Sequence, residues 1–246
     1  MFRAEDRETL RTHLIAQARS DDRVVAAAAV GGSAGGGDRW SDLDLTFGVA
    51  DGVPVAEVLT DWTRMMAGQF DAAVLFDLPY RSSIYRVFLL PGMLQVDLSF
   101  TPSAEFGAHG PRFHLLFGTA VTHPAEPSAP LEHLFGLGIH HLVRARMCVE
   151  RGRLWQAEYW IHEARDEALT LACRRLGLES SHGRGFDQLP SAVRDSYAGS
   201  LVGQLTADAL QRAAGVVLAA LLHEGADIPE ATRIRSIMKP VVLSRR

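Results

Sequence analysis

Apolar residues in the first half of the chain occur in short runs separated by turn residues, a pattern typical of β-strands. The predicted strands are 24–30, 43–49, 72–76, 84–90 and 93–100, with a weaker candidate at 115–121. Two other segments, 7–18 and 55–66, have apolar residues at helical spacing, and Pro54 precedes the first turn of the second one. The pattern predicts a mixed β-sheet with flanking helices.

Beyond residue 130 the pattern changes from short strands to long helices. Helices are predicted at 131–150, 154–176, 191–197 and 201–223. In the second of these, apolar residues recur at alternating intervals of three and four, which indicates a helix packed in a bundle. They are Leu154, Ala157, Ile161, Ala164, Ala168 and Leu171.

A proline-rich segment, 123–130, separates the two patterns. Proline continues neither a helix nor a central strand, so this segment is the clearest domain boundary in the chain. We therefore expect an α+β protein in which a mixed-sheet domain at 1–122 is followed by a linker at 123–130. A helical bundle domain is expected at 131–246.

Composition and charge limit the class of partner. The chain has 246 residues, 47% of them hydrophobic, and a formal net charge of −4. This length and hydrophobic content provide enough apolar surface for real cores. A net negative charge does not favour a polyanion as the main partner, so we expect no nucleic acid partner. The apolar helices beyond residue 130 could form a homodimer interface, so a second copy of the chain is a further candidate partner.

The chain lacks the patterns of secretion and of membrane insertion. The segment 1–8 is rich in charged residues and has no apolar signal core. No uninterrupted run of about 18 apolar residues occurs in the sequence. Cys148 and Cys173 lie in helical patterns without metal or redox spacing, which predicts reduced, buried thiols. We expect a cytoplasmic protein that does not contact the membrane.

A glycine-rich loop followed by two carboxylates carries the clearest chemical signal. The loop, 31–37, follows the first predicted strand, and Asp42 and Asp44 open the second strand. Residues two apart on a strand point to the same face, so both carboxylates project together. Two oxygen ligands beside backbone amides freed by glycine can hold Mg²⁺ and a triphosphate.

A third carboxylate, Asp97, lies amid apolar residues in the predicted strand 93–100. An unpaired carboxylate in a core costs several kcal/mol. Asp97 should therefore be neutralised by metal, or lie at the exposed edge of the sheet near the other two acids. Three acids around divalent metal fit in-line attack on a nucleotide α-phosphate, with two ions serving the nucleophile and the leaving pyrophosphate.

These residues resemble the nucleotidyltransferase superfamily of the polymerase-β type, over roughly residues 20 to 122. Its signature is a Gly-Ser loop, a spacer, an Asp-x-Asp pair and a third Asp on a later strand. The resemblance implies that Gly32 and Ser33 bind the β- and γ-phosphates. It implies that Asp42 and Asp44 are metal ligands, and that Asp97 is the third acid and a candidate general base.

The order of a catalytic sheet and a helical bundle resembles the antibiotic nucleotidyltransferases of the kanamycin and lincosamide type. In those enzymes the helical domain shapes the acceptor pocket. The segment 150–155 is similar to their Gly-Lys-Trp region, whose lysine contacts phosphate, and this implies nucleotide binding by Arg153.

The sequence does not decide which residue acts as the general base. Cys148 or Val149 occupies the position where the family has its acidic base. In the second predicted helix, Glu158, His162 and Arg165 are spaced to share one face, which fits either a substrate-positioning row or a solvated ion-pair face. The candidates for the base are Glu150, Glu158 and Asp97.

The leading hypothesis is a metal-dependent nucleotidyltransferase acting on a hydroxyl of a small molecule such as an aminoglycoside-like antibiotic. AMP from ATP is the expected group, other nucleoside triphosphates stay open, and the cofactor is Mg²⁺, two ions, or Mn²⁺. The alternative is a regulatory, antitoxin-like nucleotidyltransferase that modifies a protein partner. The predicted catalytic residues are Asp42, Asp44, Asp97 and Glu158; the predicted nucleotide-binding residues are Gly32, Ser33, Asp42, Asp44 and Arg153.

Overall fold

The computed structural model describes residues 1–35, 37–110, 112–124 and 127–238. The chain folds into two compact units, Met1–Glu126 and Pro127–Arg246. Residues 125 and 126 of the predicted linker and residues 239–246 of the predicted bundle domain lie outside the described residues. The division into domains at 1–122 and 131–246, with a linker at 123–130, stays a prediction.

The first unit contains a six-stranded mixed sheet. Its strands in chain order are β1 Val24–Val30, β2 Leu43–Val49, β3 Ala73–Tyr80, β4 Ser83–Leu90, β5 Leu94–Pro102 and β7 Phe113–Phe117. Their order across the sheet is β3-β4-β5-β2-β1-β7. The β2–β5 pair is parallel and the other neighbouring pairs are antiparallel. Two short strands, β6 Gly107–Ala108 and β8 Val121–Thr122, pair separately. The predicted α+β class with a mixed sheet is confirmed.

One face of the sheet carries the apolar core of this unit. Alternate residues of β2 and β5 point into it, as expected for strands, and pack against α1 Ala4–Ser20 and α2 Val55–Phe70. At its centre the rings of Phe47, Trp62 and Phe100 lie with centroids 4.7 to 5.3 Å apart. Packing of these rings favours one register between β2 and β5, the strands that carry Phe47 and Phe100.

The opposite face of the same strands is polar. The Ser99 hydroxyl donates to Thr46 Oγ1 at 2.7 Å, and the hydroxyl oxygens of Ser83 and Thr101 lie 2.7 Å apart, all four being buried. Because these buried hydroxyls pair with one another, they avoid the cost of an unsatisfied polar group. Asp44 and Asp97 lie on this same polar face, since they alternate with the core residues of β2 and β5.

The second unit is helical, as predicted. Its helices are α3 Leu131–Glu150, α4 Leu154–Arg175, α5 Ser191–Tyr197, α6 Ala207–Glu224 and α7 Ala231–Ile237. The predicted apolar stripe of α4 faces its core, where α3 and α6 also pack. Cys148 and Cys173 are buried free thiols. None of the described helices is long and apolar enough to cross a membrane.

Several element boundaries differ from the sequence-based prediction, and α7 was not predicted. Two of the differences have a local cause. The helix predicted at 201–223 begins at residue 207 because the Thr206 hydroxyl caps it, accepting a hydrogen bond from the Ala209 backbone N–H at 3.3 Å. The strand predicted at 115–121 ends earlier, at Phe117, because Gly118 has a φ of +82° and does not continue the strand; the predicted end was wrong.

A polar network fastens the C-terminal end of α1 to α2. The Asp21 carboxylate, whose side chain is 9% exposed, accepts hydrogen bonds from Arg23 Nε at 2.9 Å and from Trp62 Nε1 at 3.0 Å. Arg23 also donates to Asp61 Oδ2 at 2.7 Å. The hydrogen bonds from Arg23 are the main reason that the pKa of Asp21 lies below its usual value.

Replacing Asp21 with Asn should lower the free energy of unfolding by about 2 kcal/mol near neutral pH, because it removes charge-assisted hydrogen bonds. The pKa of Asp21 is lower in the folded than in the unfolded chain. Its stabilisation is therefore present above the unfolded-state pKa and is lost as the pH falls through the folded-state pKa. Urea unfolding at several pH values should show the deficit of D21N narrowing in acid. D22N is the matched control, since Asp22 is exposed, and equal deficits in both variants would contradict the role of the network.

Candidate metal centre

Three carboxylates meet at one end of the parallel strand pair. Asp44 on β2 lies directly opposite Asp97 on β5 in the register of the sheet, and Asp42 lies two residues before Asp44. One oxygen from each of the three carboxylates lies within 4.8 Å of the others, and all three residues are half-buried. Within the described part of the chain, no other group of three His, Cys, Asp or Glu residues has this geometry.

The electrostatics of this cluster favour a cation. Burial raises the pKa of Asp97, a hydrogen bond from Gln95 Nε2 at 3.0 Å opposes that rise, and the negative charge of Asp42 adds to it. Like charges brought together in a partly buried place disfavour full ionisation. A divalent cation would compensate this negative charge and oppose the rise in the pKa of Asp97.

The glycine loop begins directly at the end of β1 and turns beside these acids. Residues Gly31–Ala34 form a 3₁₀ turn. The Ser33 hydroxyl accepts a hydrogen bond from the Asp44 backbone N–H at 2.9 Å and donates to the Asp42 carbonyl at 3.4 Å. The hydroxyl therefore fixes the loop against β2, and binding of phosphate by Gly32 and Ser33 stays a prediction.

Gly31 cannot be replaced without moving the Asp44 carboxylate. Its φ of +55° lies in the left-handed region, and a Cβ atom there would lie 2.6 Å from Asp44 Oδ2. A similar close approach occurs at Gly37, where a Cβ would lie 2.7 Å from the Gly32 carbonyl oxygen. Glycine is needed at position 31 because the backbone lies against the carboxylate itself.

Arg7 of α1 supports the segment that leads into Asp42. Its Nη1 donates to the carbonyls of Asp38 and Ser41 at 2.7 and 2.8 Å. The Asp38 carboxylate in turn accepts from the Trp40 backbone N–H at 2.8 Å. The sequence pattern missed Arg7, because one arginine on an amphipathic helix gives no local sign of a partner so far along the chain.

The predicted site residues Arg153 and Glu158 belong to the second unit. Arg153 is exposed and immediately precedes α4, and Glu158 is half-buried on that helix. On the same face, Arg165 donates to His162 Nδ1 at 2.5 Å and to the Ser200 carbonyl at 3.1 Å. Another candidate base, Glu150, forms an ion pair with Arg146 at 2.5 Å. The catalytic and nucleotide-binding roles of Glu158 and Arg153 stay predictions.

Comparison with known proteins finds distant similarity among solved structures. No family model matches the chain, and no curated protein matches it. Among solved structures, an aminoglycoside 6-adenyltransferase from Bacillus subtilis is similar, with a TM-score of 0.42 and 12% identity. The match covers 93% of this chain and 94% of that chain. At this level of similarity, the function has to be inferred from the residues of the chain itself.

Replacing Gly31 with Ala should weaken metal binding by the carboxylate cluster while the unit stays folded. A left-handed φ costs a non-glycine residue about 1–2 kcal/mol, and the added Cβ also displaces Asp44 Oδ2. Gly52 is the matched control, because its φ is +78° and a Cβ there meets nothing within 4 Å. We expect G31A to weaken Mn²⁺ binding, followed by electron paramagnetic resonance, at least about tenfold more than G52A does. Equal Mn²⁺ affinities would mean that the position of Asp44 does not control binding.

Proposed function

We propose that this protein is a metal-dependent nucleotidyltransferase that transfers a nucleoside monophosphate to a hydroxyl group of a small molecule and releases pyrophosphate. The carrying observation is the cluster of Asp42, Asp44 and Asp97, with one oxygen from each within 4.8 Å of the others, beside a glycine turn. ATP is the proposed donor and an aminoglycoside-like polycation the proposed acceptor. A cluster of carboxylates attracts such a cation electrostatically.

The donor set fits a hard divalent cation. Mg²⁺ and Mn²⁺ prefer oxygen ligands, and the three carboxylates provide oxygen atoms without a competing nitrogen or sulfur ligand in the cluster. Asp42, Asp44 and Asp97 would hold the metal, with two ions proposed. When bound, the metal supplies charge neutralisation at the phosphates and lowers the pKa of a coordinated hydroxyl.

The glycine turn provides the proposed phosphate contacts. Gly31 has a left-handed φ and the following residues continue as a 3₁₀ turn, which is the backbone alternation that directs successive N–H groups toward an anion. We assign the backbone N–H groups of Gly32 and Ser33 to the β- and γ-phosphates. The Ser33 hydroxyl, bonded to the backbone of β2, holds this turn at a fixed distance from Asp44.

The proposed reaction is an in-line substitution at the α-phosphorus. The acceptor hydroxyl gives its proton to a carboxylate, for which Asp97 is one candidate and Glu158 another. The acceptor oxygen then forms a bond to the α-phosphorus as the bond between that phosphorus and the bridging oxygen breaks. The bridging oxygen leaves with the β- and γ-phosphates as pyrophosphate. The fixed carboxylates contribute by orientation and by charge stabilisation.

Replacing Asp44 with Asn should reduce acceptor-dependent pyrophosphate release by about 100-fold or more, because it removes a ligand charge at the reacting phosphate. Release is measured with ATP, GTP, CTP and UTP, with Mg²⁺ or Mn²⁺, across aminoglycosides, lincosamides and other hydroxylated compounds. D22N, which changes an exposed aspartate of the same unit, should keep full activity.

Retention of substantial activity by D44N would remove Asp44 from the reaction. Radiolabelled nucleotide distinguishes the acceptor class: label on a small molecule supports the proposal. Label on a protein, with D44N inactive, would instead establish transfer to a protein side chain.

Arg153 and Glu158 are tested by separating KM from kcat. If the two residues have their proposed roles, R153A should raise the KM for nucleotide. E158Q should lower kcat and have a smaller effect on the KM for nucleotide and on the KM for acceptor. R151A is the control for the loss of a positive charge, since Arg151 is also exposed and lies two residues earlier. Wild-type kinetics in R153A and E158Q would assign both residues to the helical surface alone.

A further inference from the structure

A large exposed aromatic side chain immediately precedes the segment that carries the first of the three carboxylates. Trp40 precedes Asp42 by two residues and is 53% exposed. The guanidinium of Arg39 lies 3.8 Å from the centroid of its ring, so that one face of the indole is covered by a cation. The ring is therefore accessible to a ligand, and an accessible aromatic face is a surface on which a nucleobase can stack.

The backbone that carries Trp40 is fixed from two sides. The Asp38 carboxylate accepts hydrogen bonds from the Trp40 backbone N–H at 2.8 Å and from the Ser41 hydroxyl at 3.2 Å. Arg7 holds the carbonyls of Asp38 and Ser41 from the other direction. An aromatic ring on a preorganised turn loses less conformational entropy when a ligand binds to it than one on a loose loop.

Building on the proposed function, we propose that the Arg39–Trp40 pair is the stacking platform for the base of the nucleoside triphosphate. Two peptide units span at most about 7 Å, so the Trp40 Cα lies within that distance of the Asp42 Cα. A nucleotide whose phosphates lie at the carboxylates therefore has its base within reach of residues in this segment. The positive charge of Arg39 also suits the approach of a triphosphate.

Stacking on an indole face has a defined consequence for specificity. Every base has a π-face, so stacking strengthens the binding of purine and pyrimidine nucleotides alike. The platform therefore contributes affinity for the nucleotide without selecting its base. The indole contributes nothing to the binding of a triphosphate that carries no base, whereas the charge of Arg39 acts on tripolyphosphate and nucleotide alike, so R39A should weaken the binding of both.

The test compares nucleotide with inorganic tripolyphosphate, the same charged group without a base. Isothermal titration with Mg²⁺ gives the Kd of a non-hydrolysable ATP analogue, a non-hydrolysable CTP analogue and tripolyphosphate for the wild type, W40A, W40F and R39A. We expect W40A to raise the Kd of both analogues about tenfold or more and to leave that of tripolyphosphate within about twofold. W40F, which keeps an aromatic face, should recover most of the affinity.

Three outcomes overturn the inference, and each is distinct from failure of the proposed function. Unchanged analogue affinity in W40A shows that the indole does not contact the base. An equal loss for tripolyphosphate shows that Trp40 acts through the shape of the loop. In the pyrophosphate-release assay, a rise in W40A that is confined to the KM of the small-molecule acceptor places Trp40 at the acceptor. Failure of the wild type to bind any nucleotide would refute the nucleotidyltransferase proposal and this platform with it.

Discussion

The parallel pairing of β2 with β5 is the constraint on which the candidate site depends. Its register places Asp44 opposite Asp97 and continues through Thr46 with Ser99 and Phe47 with Phe100. A shift of β5 by one residue would turn Asp97 into the apolar core and the ring of Phe100 toward the polar face. The hydrophobic packing of Phe47, Trp62 and Phe100 therefore helps to hold the acids in place, because burying these rings favours the observed register.

The surroundings of Asp44 add a second constraint, which is steric. The left-handed backbone at Gly31 lies against its carboxylate, and the Ser33 hydroxyl accepts from its backbone N–H. The glycine turn therefore has a fixed position relative to β2. Arg7 fixes the segment before Asp42 in the same way, through two carbonyls. Rigid support of this kind is what a site needs when its reaction depends on the orientation of several charged groups.

Much of the first unit could be predicted from local patterns, because alternation of apolar residues fixes which face of a strand is buried. The position of Asp42 and Asp44 on one face, and the need to neutralise Asp97, follow from that periodicity and from the cost of burying charge. The parallel register itself could not be predicted, since β3 and β4 lie between the two strands in sequence. Arg7 and the close approach at Gly31 depend on tertiary packing and leave no trace in local spacing. The start of α6 was misplaced because its cap, Thr206, is a weaker signal than the apolar residues before it.

The strand order also determines when the site can exist during folding. Asp44 and Asp97 come together only when β2 pairs with β5, and α2, β3 and β4 lie between these two strands in sequence, so the cluster depends on a non-local pairing of the sheet. Earlier species would hold the acids apart and bind divalent cations weakly. Metal affinity is then a reporter of completed folding, and a cation that binds the native carboxylates stabilises the whole unit by mass action.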